Sequence, residues 1–229
     1  MFIPLLDRNP VRHIRFAYVN YGIIALNVIV FLIQLAHSSG FAFDSFALTY
    51  AAVPAYFLEP AAPDRLPYLP DGLTLVTYAF FHADWLHLGS NMLFLWVFGD
   101  NVEDALGHVK YALFYLACAA LSGLTFILFA WGSYTWLIGA SGAVAGVMGV
   151  YIVLYPHARV YVLLGLTIPI PLPLPALWML GAWAAVQVFY LAFGEASPVA
   201  WSAHVGGLIA GAALCVPLKR PDVVLFGGR

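Results

Sequence analysis

The sequence predicts an all-α, polytopic membrane protein built as a bundle of six transmembrane helices. Three observations lead there. Hydrophobic residues make up 63% of the 229 and charged residues only 9%, against about 25% charged in an ordinary soluble domain, and the mean hydropathy is +0.91. Six apolar runs, about 17–36, 86–106, 111–131, 139–155, 175–193 and 202–217, approach the roughly 20 residues a helix needs to cross hydrocarbon. The basic residues then segregate. With a cytoplasmic N-terminus and six alternating spans, Arg8, Arg12, Arg15, Lys110, Arg159, Lys219, Arg220 and Arg229 all lie inside and only Arg65 lies outside, the asymmetry of the positive-inside rule. Five or seven spans would scatter these residues, so both termini are expected on the inner side.

Span one is too long for a cleaved signal peptide, and no small-residue cleavage motif precedes a soluble region. The segment 37–85 follows it, with Asp44, Glu59, Asp64, Asp71, Asp84 and several prolines. It is too long for a simple connection and is expected to be ordered and functional at the outer face. Span two closes on GDNVEDALG, where Glu103 is expected to tie down the turn into span three. Cys118 and Cys215 lie in spans three and six and read as small buried hydrophobes rather than as a disulfide. Between spans four and five, TIPIPLPLPALW (167–178) cannot continue a helix because each proline lacks an amide donor. It should be an extended, inner-side approach to span five. No repeat of 20 to 50 residues is present and no second domain has room to fold, so residues 1–229 are expected to form one membrane domain. The net charge of -2 and the lack of a basic tract argue against a nucleic-acid partner.

Spans four and six are short. From Ser141 to Tyr155 the helix covers about 15 residues, or roughly 22 Å, well below the roughly 30 Å of hydrocarbon. With its inner end fixed near Arg159, Ser141 falls several Å beneath the outer surface. His204 lies at a comparable depth above Lys219, and His87 opens span two about 20 Å before Asp100. Spans two, four and six run in the same direction, so these polar positions share one level at their outer ends. Gly142, Gly146 and Gly149 follow Ser141, while Gly207 and Gly211 follow His204. These small-xxx-small stripes let two helix backbones approach closely enough for a hydroxyl on one to reach an imidazole on the other. Packing alone is the alternative explanation for such glycines.

Taken singly, Ser141 reads as a helix cap or interhelical hydroxyl and His204 as an interfacial histidine. At one depth they suit each other chemically, because a serine becomes nucleophilic when a base takes its proton and histidine does this near neutral pH. The acyl transfer that follows generates an oxyanion that needs donors aimed at it in advance. Asn91 stands four residues after His87 on the same helical face, and both, with the backbone N–H of Ser141 at a helix start, could supply them. No acidic third member stands near His204 in the sequence, so the expectation is a dyad with the imidazole held by packing. HADWLH offers His82, Asp84 and His87 as metal ligands, but HExxH is absent and no fourth ligand stands out. No metal is expected; His82 is expected instead to order the loop or hold water. His13, His37, His108 and His157 fall at predicted membrane boundaries.

HADWLHLGSNMLFLWVFGDNVEDALG, then IGASGAVAGVMG, then SAHVGGLIAG together resemble the rhomboid family of intramembrane serine proteases. The resemblance extends over roughly 16–217. It implies Ser141 as the nucleophile within Gly139-Ala140-Ser141-Gly142, His204 as the base, and His87 and Asn91 as oxyanion contributors. His82 matches an upstream family histidine, and Glu103 matches the acid of the family's GxxxE turn. It further implies cleavage of single-span membrane proteins near the outer ends of their transmembrane segments, with no cofactor. Span five, Ala176 to Phe193, would be the substrate gate and about Gly194 to Trp201 its cap. Ala145 stands where some members stack an aromatic ring on the catalytic histidine, so His204 must be oriented by something else. No Trp-Arg pair is present in 37–85.

Two other classes compete. A non-enzymatic rhomboid-like binder of transmembrane helices would lack an activated hydroxyl. A small transporter would carry polar residues through the whole bilayer depth, whereas here they stop in the outer half. The paired aspartates of GxGD proteases are missing. The absence of a transit peptide favours a prokaryotic plasma membrane as the location.

Overall fold

The computed structural model describes residues 2–37, 49–58, 69–164, 171–194 and 199–227. Its elements are β1 (Phe2–Asp7), α1 (Tyr18–His37), α2 (Asp71–Thr77), α3 (Trp85–Leu106), α4 (His108–Phe129), α5 (Ser141–Leu154), β2 (Arg159–Leu164), β3 (Leu172–Pro175), α6 (Ala176–Phe193) and α7 (Trp201–Leu218). Two short 3₁₀ turns, Pro54–Phe57 and Tyr78–Phe80, lie in the segment before α3. Every predicted span coincides with a helix to within three residues at each end. Four of the helices, α1, α4, α6 and α7, are long and apolar enough to cross a membrane. α5 has 14 residues, and α3 is long but ends in a polar turn containing Asp100, Glu103 and Asp104.

α5 is the central helix. Ten of its residues from Gly142 to Tyr151 leave only Ile152 and Val153 partly exposed before the buried Leu154, and Ser141 alone is half-exposed at its start. A helix apolar on all sides belongs inside other protein. α7 packs against it at backbone contact: a Cβ on Gly207 would lie 2.0 Å from the carbonyl oxygen of Gly142, and one on Gly211 would lie 2.0 Å from that of Gly146. α4 closes in from another side, where a Cβ on Gly142 would meet the Ser122 hydroxyl at 1.9 Å. The glycine stripes thus set interhelical distance, as the sequence predicts. α1 and the C-terminal half of α6 keep most of their surface outside this core.

The expectation of an all-α chain needs correction. β1, β2 and β3 form an antiparallel three-stranded sheet in that order. Asp7 pairs with Val160, and Arg159 pairs with Pro175. The prolines of β3 are compatible with pairing because β3 is an edge strand, where a missing amide costs no ladder bond. The approach to span five is therefore extended, as predicted, but it is one strand of a sheet that also takes in the N-terminus. The rest of that proline-rich stretch, 167–170, lies outside the described residues, as do 38–48 and 59–68 of the predicted outer segment.

The described part of that outer segment is ordered. Ala52 and Leu137 exchange both backbone hydrogen bonds (3.2 and 2.9 Å), and the Ala55 N–H donates to the Ser133 carbonyl (2.9 Å). The segment is thereby fastened to the loop that leads into α5.

Candidate active site

Ser141 is the first residue of α5 and His204 the fourth of α7. Their side chains meet: Ser141 Oγ lies 2.8 Å from His204 Nε2. Both residues are partly exposed, so water can reach the pair. The first four amides of a helix lack intrahelical partners, and the positive end of the α5 dipole is directed at the same place.

The turn before Ser141 is shaped by one glycine. Gly139 has φ +118°, a region that side chains avoid, and a Cβ there would lie 2.6 Å from the His87 ring. Its N–H donates to the Tyr78 carbonyl (3.0 Å), while the Tyr78 hydroxyl donates to the Ala119 carbonyl on α4 (2.9 Å). Gly142 admits α4, where Ser122 donates to the Ala203 carbonyl just before His204 (2.8 Å). Gly139 and Gly142 therefore hold the serine turn between α3 and α4.

His82 and His87 face each other at 5.1 Å between ring centroids. His82 is fully buried; its backbone N–H and carbonyl are both taken by the Gln34 amide of α1 (3.2 and 2.8 Å). Burial, and then the nearby His87, push its pKa down to about 3, so its ring is neutral and Nε2 accepts a long bond from the Ala140 N–H (3.5 Å). Asp84 caps α3, accepting from the His87 N–H (2.7 Å). The Ala83 N–H donates to His87 Nδ1 (3.4 Å), which leaves the His87 proton on Nε2, toward Gly139. Asn91 donates one amide hydrogen to the His87 carbonyl of its own helix (3.0 Å), and its second hydrogen can serve another acceptor. Among the described residues, neither His87 nor Asn91 is hydrogen-bonded to Ser141; the His87 ring lies against the Gly139 turn that precedes it.

A Rhomboid domain model matches residues 70–221, two thirds of the chain and all the residues just described except Gln34. The chain belongs to the rhomboid family. It is 32% identical to Rhomboid protein 1, mitochondrial, of Saccharomyces cerevisiae over 169 residues, covering 68% of this chain and 44% of the relative. It is equally 32% identical over 142 residues to Rhomboid protease GlpG of Klebsiella pneumoniae and of Salmonella choleraesuis, covering 60% of this chain and 45% of each relative. The rhomboid match thus spans less than half the length of these relatives.

Sequence reasoning about this rhomboid missed one polar neighbour of the imidazole. His204 Nδ1 lies 2.7 Å from Oε1 of Gln187 on α6, where packing alone was expected. Trp183 and Trp201 also flank the ring, at 5.7 and 6.3 Å between centroids, the first tilted and the second edge-on. Gln187 was visible as the lone amide in the apolar run ALWMLGAWAAVQVFYLAF. Its distance of 17 residues from His204 in the chain hid the contact.

Glu103 holds more than the predicted turn. Fully buried, it accepts from the backbone N–H groups of Val19 (3.1 Å) and Asn20 (2.7 Å) at the start of α1 and pairs with His108. His13, His108 and their acidic partners form a polar cluster at the end of the bundle opposite Ser141. His37 lies at the far end of α1, its ring against the Ile33 carbonyl (2.8 Å).

Proposed function

We propose that this rhomboid is a serine endopeptidase working inside a cell membrane, with residues 1–229 as one six-span domain and both termini cytoplasmic. Its substrates are single-span membrane proteins, cut near the outer end of the transmembrane segment. The observation that carries this reading is the 2.8 Å contact between Ser141 Oγ and His204 Nε2 at the outer ends of two glycine-packed helices. A hydroxyl in that position donates to Nε2, and the imidazole takes its proton as Oγ attacks the peptide carbonyl. The C–O bond forms, the carbonyl π pair moves onto oxygen, and the resulting oxyanion is met by the Ser141 N–H, the Asn91 amide and the His87 Nε2–H. His204 then returns the proton to the leaving amine as the C–N bond breaks. Water, deprotonated by the same ring, releases the acyl group from Ser141. No step calls for a metal or cofactor.

The depth of the site supports the choice of substrate. A peptide bond must reach a serine at the start of a helix only 14 residues long, which a soluble polypeptide would do only by entering the bilayer region. The test uses purified protein in liposomes with a single-span reporter. Wild type cleaves and is labelled by a fluorophosphonate; Ser141→Ala and His204→Ala lose both while their unfolding temperatures stay unchanged. Cleavage retained by purified Ser141→Ala overturns the nucleophile. A wild type that binds the reporter but is neither labelled nor active is a binder of transmembrane helices instead.

A further inference from the structure

The outer half of α6 is nearly bare of core contacts. From Gly181 to Phe193 Gln187 alone is buried, at 4% exposure, while Val186, Val188, Phe189, Tyr190 and Phe193 are all exposed. A buried amide surrounded by apolar groups is costly unless both its ends are hydrogen-bonded. Both are: Nε2 donates to the Trp183 carbonyl one turn earlier (3.3 Å), and Oε1 faces His204 Nδ1 at 2.7 Å. The orientation of the amide is fixed by this pair. Turned over, it would set its oxygen against a carbonyl oxygen, where no hydrogen is available. With Oε1 toward the ring, Nδ1 must carry the hydrogen, and a neutral imidazole then presents its lone pair at Nε2, toward Ser141 Oγ at 2.8 Å.

We propose that Gln187 is a positioning residue for the base: its side-chain oxygen fixes the tautomer and orientation of His204 from α6, making a Ser141–His204–Gln187 relay of contacts in place of a bare dyad. This rests on the reading of Ser141 and His204 as nucleophile and base. Gln187 touches neither substrate nor reacting atoms, and no proton leaves the imidazole toward it, because a neutral amide oxygen accepts a hydrogen bond without taking the hydrogen. Its effect falls on how often the ring is correctly presented. Since the acceptor is carried by α6, the base is correctly presented only while α6 sits against α7.

Two substitutions separate this from a packing role. Gln187→Met keeps the volume and removes the acceptor; Gln187→Glu keeps the acceptor. In liposomes, Gln187→Met is expected to lower kcat on a single-span reporter by about 10- to 100-fold, part of what a positioned base contributes, with KM and unfolding temperature unchanged. Gln187→Glu restores most of it. Nitrogen-15 histidine NMR of the full chain, with the His204 signals assigned by their loss in His204→Ala, supplies a reading that needs no activity. Wild type should have Nδ1 protonated and Nε2 bare, and Gln187→Met should give a mixture. A wild-type His204 with its proton on Nε2 overturns the proposal without any variant, as does a Gln187→Met protein with wild-type kcat and tautomer. If wild type shows no Ser141-dependent cleavage or labelling, it is the protease reading that fails, and the tautomer comparison still decides whether Gln187 holds the ring.

Discussion

The two ends of this helix bundle use hydrogen bonds in opposite ways. At one end, His204 has one partner on each nitrogen and both it and Ser141 remain partly exposed. At the other end, Asp104 accepts from three successive backbone amides, Arg12, His13 and Ile14 (3.0, 2.6 and 2.8 Å), and from the His13 ring (3.0 Å), whose far nitrogen reaches Asp222 (2.8 Å). Glu103 beside it fastens the start of α1. Many bonds converging on a buried carboxylate make a clasp that opens only at high cost. Few bonds around an accessible imidazole keep its lone pair available for a proton. Substitutions at the two ends should therefore separate stability from chemistry.

The strongest challenge to that separation is Gly207→Leu, which lies between them. Its side chain would begin 2.0 Å from the Gly142 carbonyl, so α7 must move away from α5. We expect destabilisation of about 3 kcal/mol or more, read as a lowered unfolding temperature in micelles, together with loss of fluorophosphonate labelling. Next is Glu103→Ala, which strands the Val19 and Asn20 amides. It should cost about 2–3 kcal/mol while leaving labelling of the folded fraction intact. Lost labelling at unchanged stability would show that the carboxylate clasp governs the chemistry after all. A smaller and opposite case is Gly139→Ala. The positive φ costs about 1 kcal/mol, and the new methyl displaces the His87 ring, so reporter cleavage should fall about tenfold, equal to roughly 1.4 kcal/mol of barrier, with a small change in unfolding temperature.

The same contrast explains what could be read from the chain alone. Ser141, His204, His87 and Asn91 stood out because a polar group in an apolar run is conspicuous and because 1.5 Å per residue converts chain position into depth. The glycine stripes were equally legible, since their spacing is local. The Gln187 contact and the β1–β2–β3 sheet were not, because each joins distant parts of the chain and depends on which helix faces turn toward one another. Pro173 and Pro175 reinforced the omission: they argue against a strand unless its edge position is already known. Glu103 was assigned its turn by neighbourhood in sequence, whereas its bonds to Val19 and Asn20 lie 84 and 83 residues away.

The subtlest difference between the two ends is the sign of their pH dependence. Asp7 accepts from the Tyr151 hydroxyl and from the Asn101 amide (3.2 Å), yet burial, reinforced by the Asp100 carboxylate and only partly offset by Tyr151, raises its pKa from 3.8 to about 7. His13 is raised above 6.5, first by its hydrogen bond to Asp104. In both groups the folded state holds its proton more tightly than the unfolded state does, so both stabilise at low pH and weaken as pH rises. The Asp7 contribution is complete below about 4 and disappears by about 7; that of His13 is complete below 6.5 and is lost as pH climbs through its raised value. His82 works in the opposite sense, because its pKa is pushed down to about 3 by burial and then by His87, and it offsets Asp7 below pH 6.5; the unfolding temperature of the wild type should accordingly fall chiefly between pH 6.5 and 8. Asp7→Asn retains an acceptor for Tyr151 and removes the ionisation, so its curve should climb relative to wild type up to pH 7 and still decline above it through His13. A wild-type curve that rises over this range, or an Asn variant with an unaltered slope, would mean that the half-buried Asp7 carboxylate is not the group that titrates.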